Sequence, residues 1–320
     1  MTEPSSNTGD DAAHLDDSDT SEFYSANRWP GPNAIVSKKW AERLAPYLPD
    51  GPLELLDAGC GSGQYLAGML AEYPDMNGVG IDISAPSIGD AAALVEGTGV
   101  GARAEVLVKS FSDPLDWDQR FDVAISNGAI HHSPDPARSM QNIARSIKPK
   151  GLFGCMIYGS RSNHRRYEIK EMLHLLADGD LDLMYDLHRD FQSKYESVWD
   201  ATPRQMMAAL KGKLGRLAAR LRGREAYLGY DPTADHKKIF IDGFGTPIDA
   251  GFDTSQVRAM LENAGLELVK MIGSGRPDPA LLPPTWQAPW QQLPPWTQMR
   301  IIELLDPNPS AFSFVARKID

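Results

Sequence analysis

Residues 55–66 read LLDAGCGSGQYL, from Leu55 to Leu66, and the fold follows from how this stretch is parsed. An apolar run ends at Asp57, and Gly59, Gly61 and Gly63 follow at alternate positions. A helical periodicity then begins, with Leu66, Met69, Leu70 and Tyr73 at i, i+3, i+4 and i+7, until Pro74 stops it. Strand, glycine bend and helix in that order form a ligand-binding corner. Glycines there remove Cβ atoms where a ligand approaches the backbone, and the helix N-terminus offers free N–H groups. The spacing G-x-G-x-G differs from the G-x-G-x-x-G of dinucleotide binders, and the Lys-Ser/Thr of a phosphate loop is missing. A loop this compressed suits a ligand with no pyrophosphate to cradle.

Working outward, short apolar runs alternate with helical periodicities. LELLDAG, NGVGIDIS, AEVLVK, FDVAISNG and LFGCMIYG each fit a strand buried on both faces. Between the fourth and fifth runs, Met140, Ile143, Ala144 and Ile147 share a face. That helix is capped by Asp135 with Pro136 at its first position. Near the C-terminus, Asp253 or Thr254 caps a helix carrying Val257, Met260 and Leu261, and LELVKMIG and AFSFVARK read as strands. The expected fold class is α/β, a Rossmann-like, doubly wound, mostly parallel seven-stranded sheet with a helical insertion after the fifth strand. The expected division is an unstructured acidic tail over 1–22 and a core with an N-terminal aromatic segment over 23–159. A helical lid over 160–250 and the rest of the core sheet over 251–320 complete it.

Composition narrows the class. Of 320 residues, 42% are hydrophobic and 23% charged, as in ordinary globular proteins. The net charge of -11 argues against a protein that coats nucleic acid. Residues 1–22 hold seven acidic side chains and no Lys or Arg, so most of that charge sits in the tail. The acidic start has no secretory pattern, no run approaches a membrane span, and Cys60 and Cys155 are far apart. A cytoplasmic setting without disulfides or a metal site is expected.

Asp82 ends the second strand, about twenty residues past the glycines, where a carboxylate accepts hydrogen bonds from both hydroxyls of a ribose. Taken together, LLDAGCGSGQYL, GIDIS, FDVAISNGAIHHSPDP and IKPKGLFGCMIYG resemble the successive motifs of class I S-adenosylmethionine-dependent methyltransferases, in a branch of bacterial small-molecule enzymes. The resemblance covers roughly 53–160 and the two C-terminal strands. It implies S-adenosyl-L-methionine as cofactor, with Asp57, Gly59, Cys60, Gly61 and Gly63 at its methionine end and Asp82 on the ribose. Ile83 would pack on the adenine, Ser110 and Phe111 would lie near its amino group, and Asn127 and Gly128 would face the sulfonium. One motif departs from the family: an acidic residue is common after the third strand, and this chain has KSFSDP.

The acceptor side is less specified. His131, His132 and Tyr158 are the candidates for catalysis, because an imidazole beside the transferring methyl can take a proton from the acceptor. Tyr24, Trp29, Arg161, Arg165, Asp242 and Phe244 are candidates for acceptor binding, drawn from the aromatic segment and the insertion. The function expected is methyl transfer to a small-molecule nitrogen, sulfur or oxygen. Residues 206–224 place Leu210, Leu214, Leu217 and Leu221 on one stripe, with Lys and Arg around them. An RNA or protein methyltransferase using that basic helix is the alternative, and a non-catalytic cofactor-binding partner subunit is another. A homodimer remains open.

Overall fold

The computed structural model describes residues 15–195, 236–272, 277–305 and 311–319. Seven strands form one sheet: β1 (Leu53–Ala58), β2 (Met76–Asp82), β3 (Ala104–Val108), β4 (Phe121–Asn127), β5 (Ile147–Tyr158), β6 (Leu266–Ile272) and β7 (Ala311–Lys318). Their order is β3-β2-β1-β4-β5-β7-β6. The first five run parallel, and β7 lies antiparallel between β5 and β6. The strands read as unbroken apolar runs because both faces are covered. Leu55 packs with Trp40, Leu66 and Leu70 on one side, and its neighbour Leu56 packs with Ile143, Phe153 and Phe314 on the other.

The helices that cover the sheet's first half are α1 (Asp17–Ala26), α2 (Lys39–Leu44), α3 (Gln64–Glu72), α4 (Ala85–Gly97) and α5 (Pro136–Arg145). Then come α6 (Ser160–Ala177), α7 (Leu181–Tyr195), α8 (His236–Phe240), α9 (Thr254–Asn263), α10 (Pro284–Gln291) and α11 (Pro295–Leu305). The capping signals read from the sequence are realised. Asp135 accepts from Arg138 N, and Asp253 forms a capping box with Gln256. The order of connections reverses at β1, where β2 lies on one side and β4 on the other. Loops leaving the carboxyl ends of these strands diverge there and leave a crevice.

The acidic segment differs from expectation. Helix α1 begins at Asp17, so residues 17–22 are not an unstructured tail. Asp16 accepts from Ser18 N while Asp19 accepts from Asp16 N, which satisfies the helix start, and acidic groups in a first turn suit the helix dipole. Tertiary contacts add to this: Thr20 Oγ1 donates to the His132 carbonyl at 3.1 Å, and Ser21 Oγ donates to the Ile83 carbonyl at 3.0 Å. A composition typical of disorder was outweighed by polar groups with specific partners. The insertion after β5 builds a small core of its own from Ile169, Leu173, Met184 and Phe240. The basic stretch 206–224 and residues 1–14 lie outside the described residues.

One packing contact sets up the site. Trp40 is fully buried, and its indole Nε1 donates to Asn127 Oδ1 at 3.1 Å, at the carboxyl end of β4. A Cβ on Gly154 of β5 would come within 2.6 Å of that indole, so the glycine makes room for it. We expect Trp40→Ala to cost about 3–5 kcal/mol in denaturant unfolding, as for large aromatic truncations in cores. Trp40→Phe should cost less than Trp40→Ala while still releasing Asn127.

Candidate active site

A single cavity opens at the crevice. It is lined by Gly59, Cys60, Gly61 and Gln64 after β1, by Asp82 and Ile83 after β2, and by Ser110, Phe111 and Ser112 after β3. Asn127, Gly128, Ala129, His132 and Ser133 follow β4, Met156 and Tyr158 end β5, and Asp17, Thr20, Tyr24, Trp29 and Asp242 close the wall.

The glycine loop is tied to the neighbouring strand. Gly59 N and Cys60 N both donate to the Ile81 carbonyl, at 2.8 and 2.9 Å. Gly61 N donates to Asp82 Oδ2 at 2.9 Å, and Ser84 N donates to Asp82 Oδ1 at 2.9 Å. Gly59 and Gly61 take φ of +75° and +51°, a region side chains rarely adopt. A Cβ at Gly59 would also lie 2.3 Å from that of Ala129, and one at Gly61 would lie 2.8 Å from the Trp29 carbonyl. Burial pushes the Asp82 carboxyl above its ordinary range, against the backbone N–H groups that hold it ionised.

Most of the expected cofactor residues meet here. Asp57 and Gly63 do not line the cavity. Asp57 sits beneath it, accepting from Leu66 N at 3.0 Å near the start of α3, with its pKa pushed up to about 7 by burial. Gly63 lies against Ala91 of α4. Asp57 and Gly63 therefore shape the corner from behind. Asp17 was missed because it was assigned to the tail. Its carboxylate accepts from Ser110 Oγ and, at 2.9 Å, from Ser112 Oγ. It supplies a carboxylate beside the loop after β3, where KSFSDP begins without one. Gln64, whose buried Oε1 has no partner among the described residues, was also missed.

The acceptor candidates separate into two groups. Tyr24, Trp29, Tyr158, His132 and Asp242 line the cavity. Arg161 and Arg165 are exposed, with Arg165 paired to Glu168, and Phe244 packs inside the insertion with Phe240 and His188. The arginine that reaches inward is Arg166. It pairs with Asp249 at 2.7 Å and lies over the Tyr158 ring at 5.0 Å.

The histidines play unlike parts. His131 is fully buried, stacks 4.0 Å from Tyr158 and 4.1 Å from His132, and has no partner for either ring nitrogen among the described residues. Burial drives its pKa well down, so it stays neutral. It supports the wall and does not line the cavity. His132 does line it, with Nδ1 held 2.8 Å from the Ile248 carbonyl and a pKa lowered by burial. His131, His132 and Asp249 place one donor atom each within 4.8 Å of one another. Arg166 and Lys170 already hold Asp249, at 2.7 and 3.6 Å, and oppose a further cation there. Asp249 is thereby held in an ion-pair network behind the wall.

Comparison with known proteins points to a methyltransferase domain. A family model described as a methyltransferase domain matches residues 50–198. A Synechococcus protein described as uncharacterized is 28% identical over 293 residues, which is 90% of this chain and 64% of that protein. A malonyl-[acyl-carrier protein] O-methyltransferase of Dechloromonas aromatica is 30% identical over 148 residues, 46% of this chain and 50% of that one. The solved structure of PKMT2 from Rickettsia typhi in complex with AdoHcy shares the fold at a TM-score of 0.62 and 15% identity. That match covers 88% of this chain and 53% of that one. The chain thus spans under two thirds of the length of these relatives. Residues 50–198 match a methyltransferase domain, and S-adenosylmethionine is the cofactor that the sequence resemblance implies.

The residues present fit that cofactor. An acidic group at the end of β2, a glycine-rich loop after β1, and an unpartnered buried amide oxygen on Gln64 supply acceptors and space where a nucleoside and an amino acid have donors. Asp242 carries a testable cost. Burial, with Asp249 nearby, raises its pKa to about 7, well above an unfolded carboxyl. A raised carboxyl pKa means that stability is fully present below the unfolded value and is lost as pH rises through about 7. We expect Asp242→Asn to raise the melting temperature above pH 7, by about 2–4 °C for each kcal/mol recovered. The gap should shrink as pH falls toward 4, and paired thermal melts across that range check it.

Proposed function

We propose that the protein transfers the methyl group of S-adenosylmethionine to a small-molecule acceptor that enters the cavity beside Tyr24, Trp29, Tyr158 and Asp242. One observation carries this reading. The cavity that contains the glycine loop and Asp82 is continuous with a wall of aromatic and acidic side chains that the cofactor motifs do not use. The bound cofactor would bring a methyl group already activated on a sulfonium. The chain's task is then to hold, orient and keep water away from the reacting atoms. Asp82 would accept from the ribose hydroxyls, and Asn127, fixed by Trp40, would stand near the sulfur. Helix α1 covers the cavity from outside, tied down through Asp17, Thr20 and Ser21. This cover favours a small acceptor over an RNA or a protein. No helix of the described residues is long and apolar enough to cross a membrane.

Isothermal titration calorimetry should show one saturable site for S-adenosylmethionine. Asp82→Ala should weaken it by about 1.5–3 kcal/mol, the usual range for a hydrogen bond involving a charged group. Unchanged affinity in that variant would remove the ribose assignment. A screen of metabolites with a labelled methyl donor identifies the acceptor.

A further inference from the structure

Resting on the methyltransferase reading, we propose that the acceptor is an amine, received as its ammonium ion by Tyr24 and Trp29 and by the carboxylate of Asp242. Among the described residues the cavity wall holds three carboxylates, Asp17, Asp82 and Asp242, and no Lys or Arg. An acceptor bearing a carboxylate or phosphate would meet like charge there, while Arg166 and Lys238, the cations that act on Asp242, are held by Asp249 and by the Pro30 carbonyl. A cation is attracted instead.

The wall's acidic groups are not equally committed. Asp17 receives two serine hydroxyls, and Asp82 receives two backbone N–H groups. Asp249, just behind the wall, is neutralised by Arg166 and Lys170. Asp242 accepts one long hydrogen bond, from the Tyr24 hydroxyl at 3.4 Å, and no described cation lies within ion-pair distance of it. Tyr24 comes from α1, Trp29 from the segment after it and Tyr158 from the end of β5, yet all border the same space as Asp242. The rings of Tyr24 and Trp29 beside that carboxylate attract ammonium groups through their quadrupoles, while the Tyr158 ring, already faced by Arg166 and His131, closes the wall.

The same carboxylate has a chemical task. An ammonium has no lone pair, so one proton must leave before attack. Asp242 takes that proton and becomes neutral. The amine nitrogen then forms its bond to the methyl carbon as the carbon–sulfur bond breaks, with that bond's electron pair going to sulfur. The product leaves as a methylated ammonium, and the proton on Asp242 passes to water. The groups that set Asp242's titration are Tyr24 from α1, Asp249 from the segment before α9, Arg166 from α6 and Lys238 from α8. Burial, reinforced by Asp249, outweighs Tyr24, Arg166 and Lys238 and brings the carboxyl to about 7, suited to a proton acceptor at neutral pH. His132, with its lowered pKa, is the weaker base.

The test uses binding and needs no knowledge of the natural acceptor. Protein saturated with S-adenosylhomocysteine is titrated at pH 8 with benzylamine and methylamine, and with benzyl alcohol and methanol as neutral counterparts. We expect each amine to bind at least tenfold more tightly than its alcohol. Asp242→Asn should abolish that preference while leaving affinity for S-adenosylhomocysteine unchanged, and Trp29→Leu should reduce it severalfold. The preference should also fade as pH falls below about 7. Equal binding of amines and alcohols, binding of neither, or a preference that survives Asp242→Asn overturns the proposal. Failure of S-adenosylhomocysteine itself to bind overturns the methyltransferase reading instead, so the two failures are distinguishable.

Discussion

The hydrogen bonds between the loop after β1 and the end of β2 are the constraint on which the site depends. Two loop N–H groups converge on the Ile81 carbonyl, and a third reaches the Asp82 carboxylate. These bonds bend the backbone into conformations that need glycine, and they aim a buried carboxylate into the crevice. Each requires parallel β1 and β2 in fixed register, with Asp57 opposite Gly80 and Ala58 opposite Ile81. That register in turn depends on the apolar faces that bury both strands. Core packing and ligand geometry are therefore one requirement at this corner.

A second shell of structure completes the cavity from outside the sheet. Helix α1 is held by hydrogen bonds from its short polar side chains, and Tyr24 bridges toward Asp242 on the far wall. Lys238 donates to the Pro30 carbonyl, and a Cβ on Gly245 would approach the Phe23 ring at 3.1 Å, so the insertion and the N-terminal segment lie against each other. The acceptor side is thus assembled from parts of the chain more than two hundred residues apart. Asp82 and Asp242 sit at raised pKa values, a stability cost held at the site that a neutral wall would not carry.

The sheet was legible in the sequence because parallel strands buried on both faces must be continuously apolar, and the bends between them need glycine or proline. The cofactor corner was legible for the same reason: Gly59, Gly61 and Asp82 answer to local backbone geometry. The acceptor wall was harder to read. Arg165 and Arg166 are adjacent in sequence, and only the helical phase of α6 decides which one points inward. Asp17 has the composition of a solvated tail, and only long-range contact with Ser110 and Ser112 reveals its place. Phe244 looked like a pocket aromatic, yet it fills the small core of the insertion, where Phe240 stacks on it.

A crystal structure with S-adenosylhomocysteine bound tests the central claim most directly. The account predicts the ribose hydroxyls on Asp82, the amino-acid end beside the glycine loop and Gln64, and the sulfur facing the space between Asn127, Tyr158 and Asp242. A ligand that lies elsewhere, or that runs through this cavity with its nucleoside end at Asp242, would contradict it.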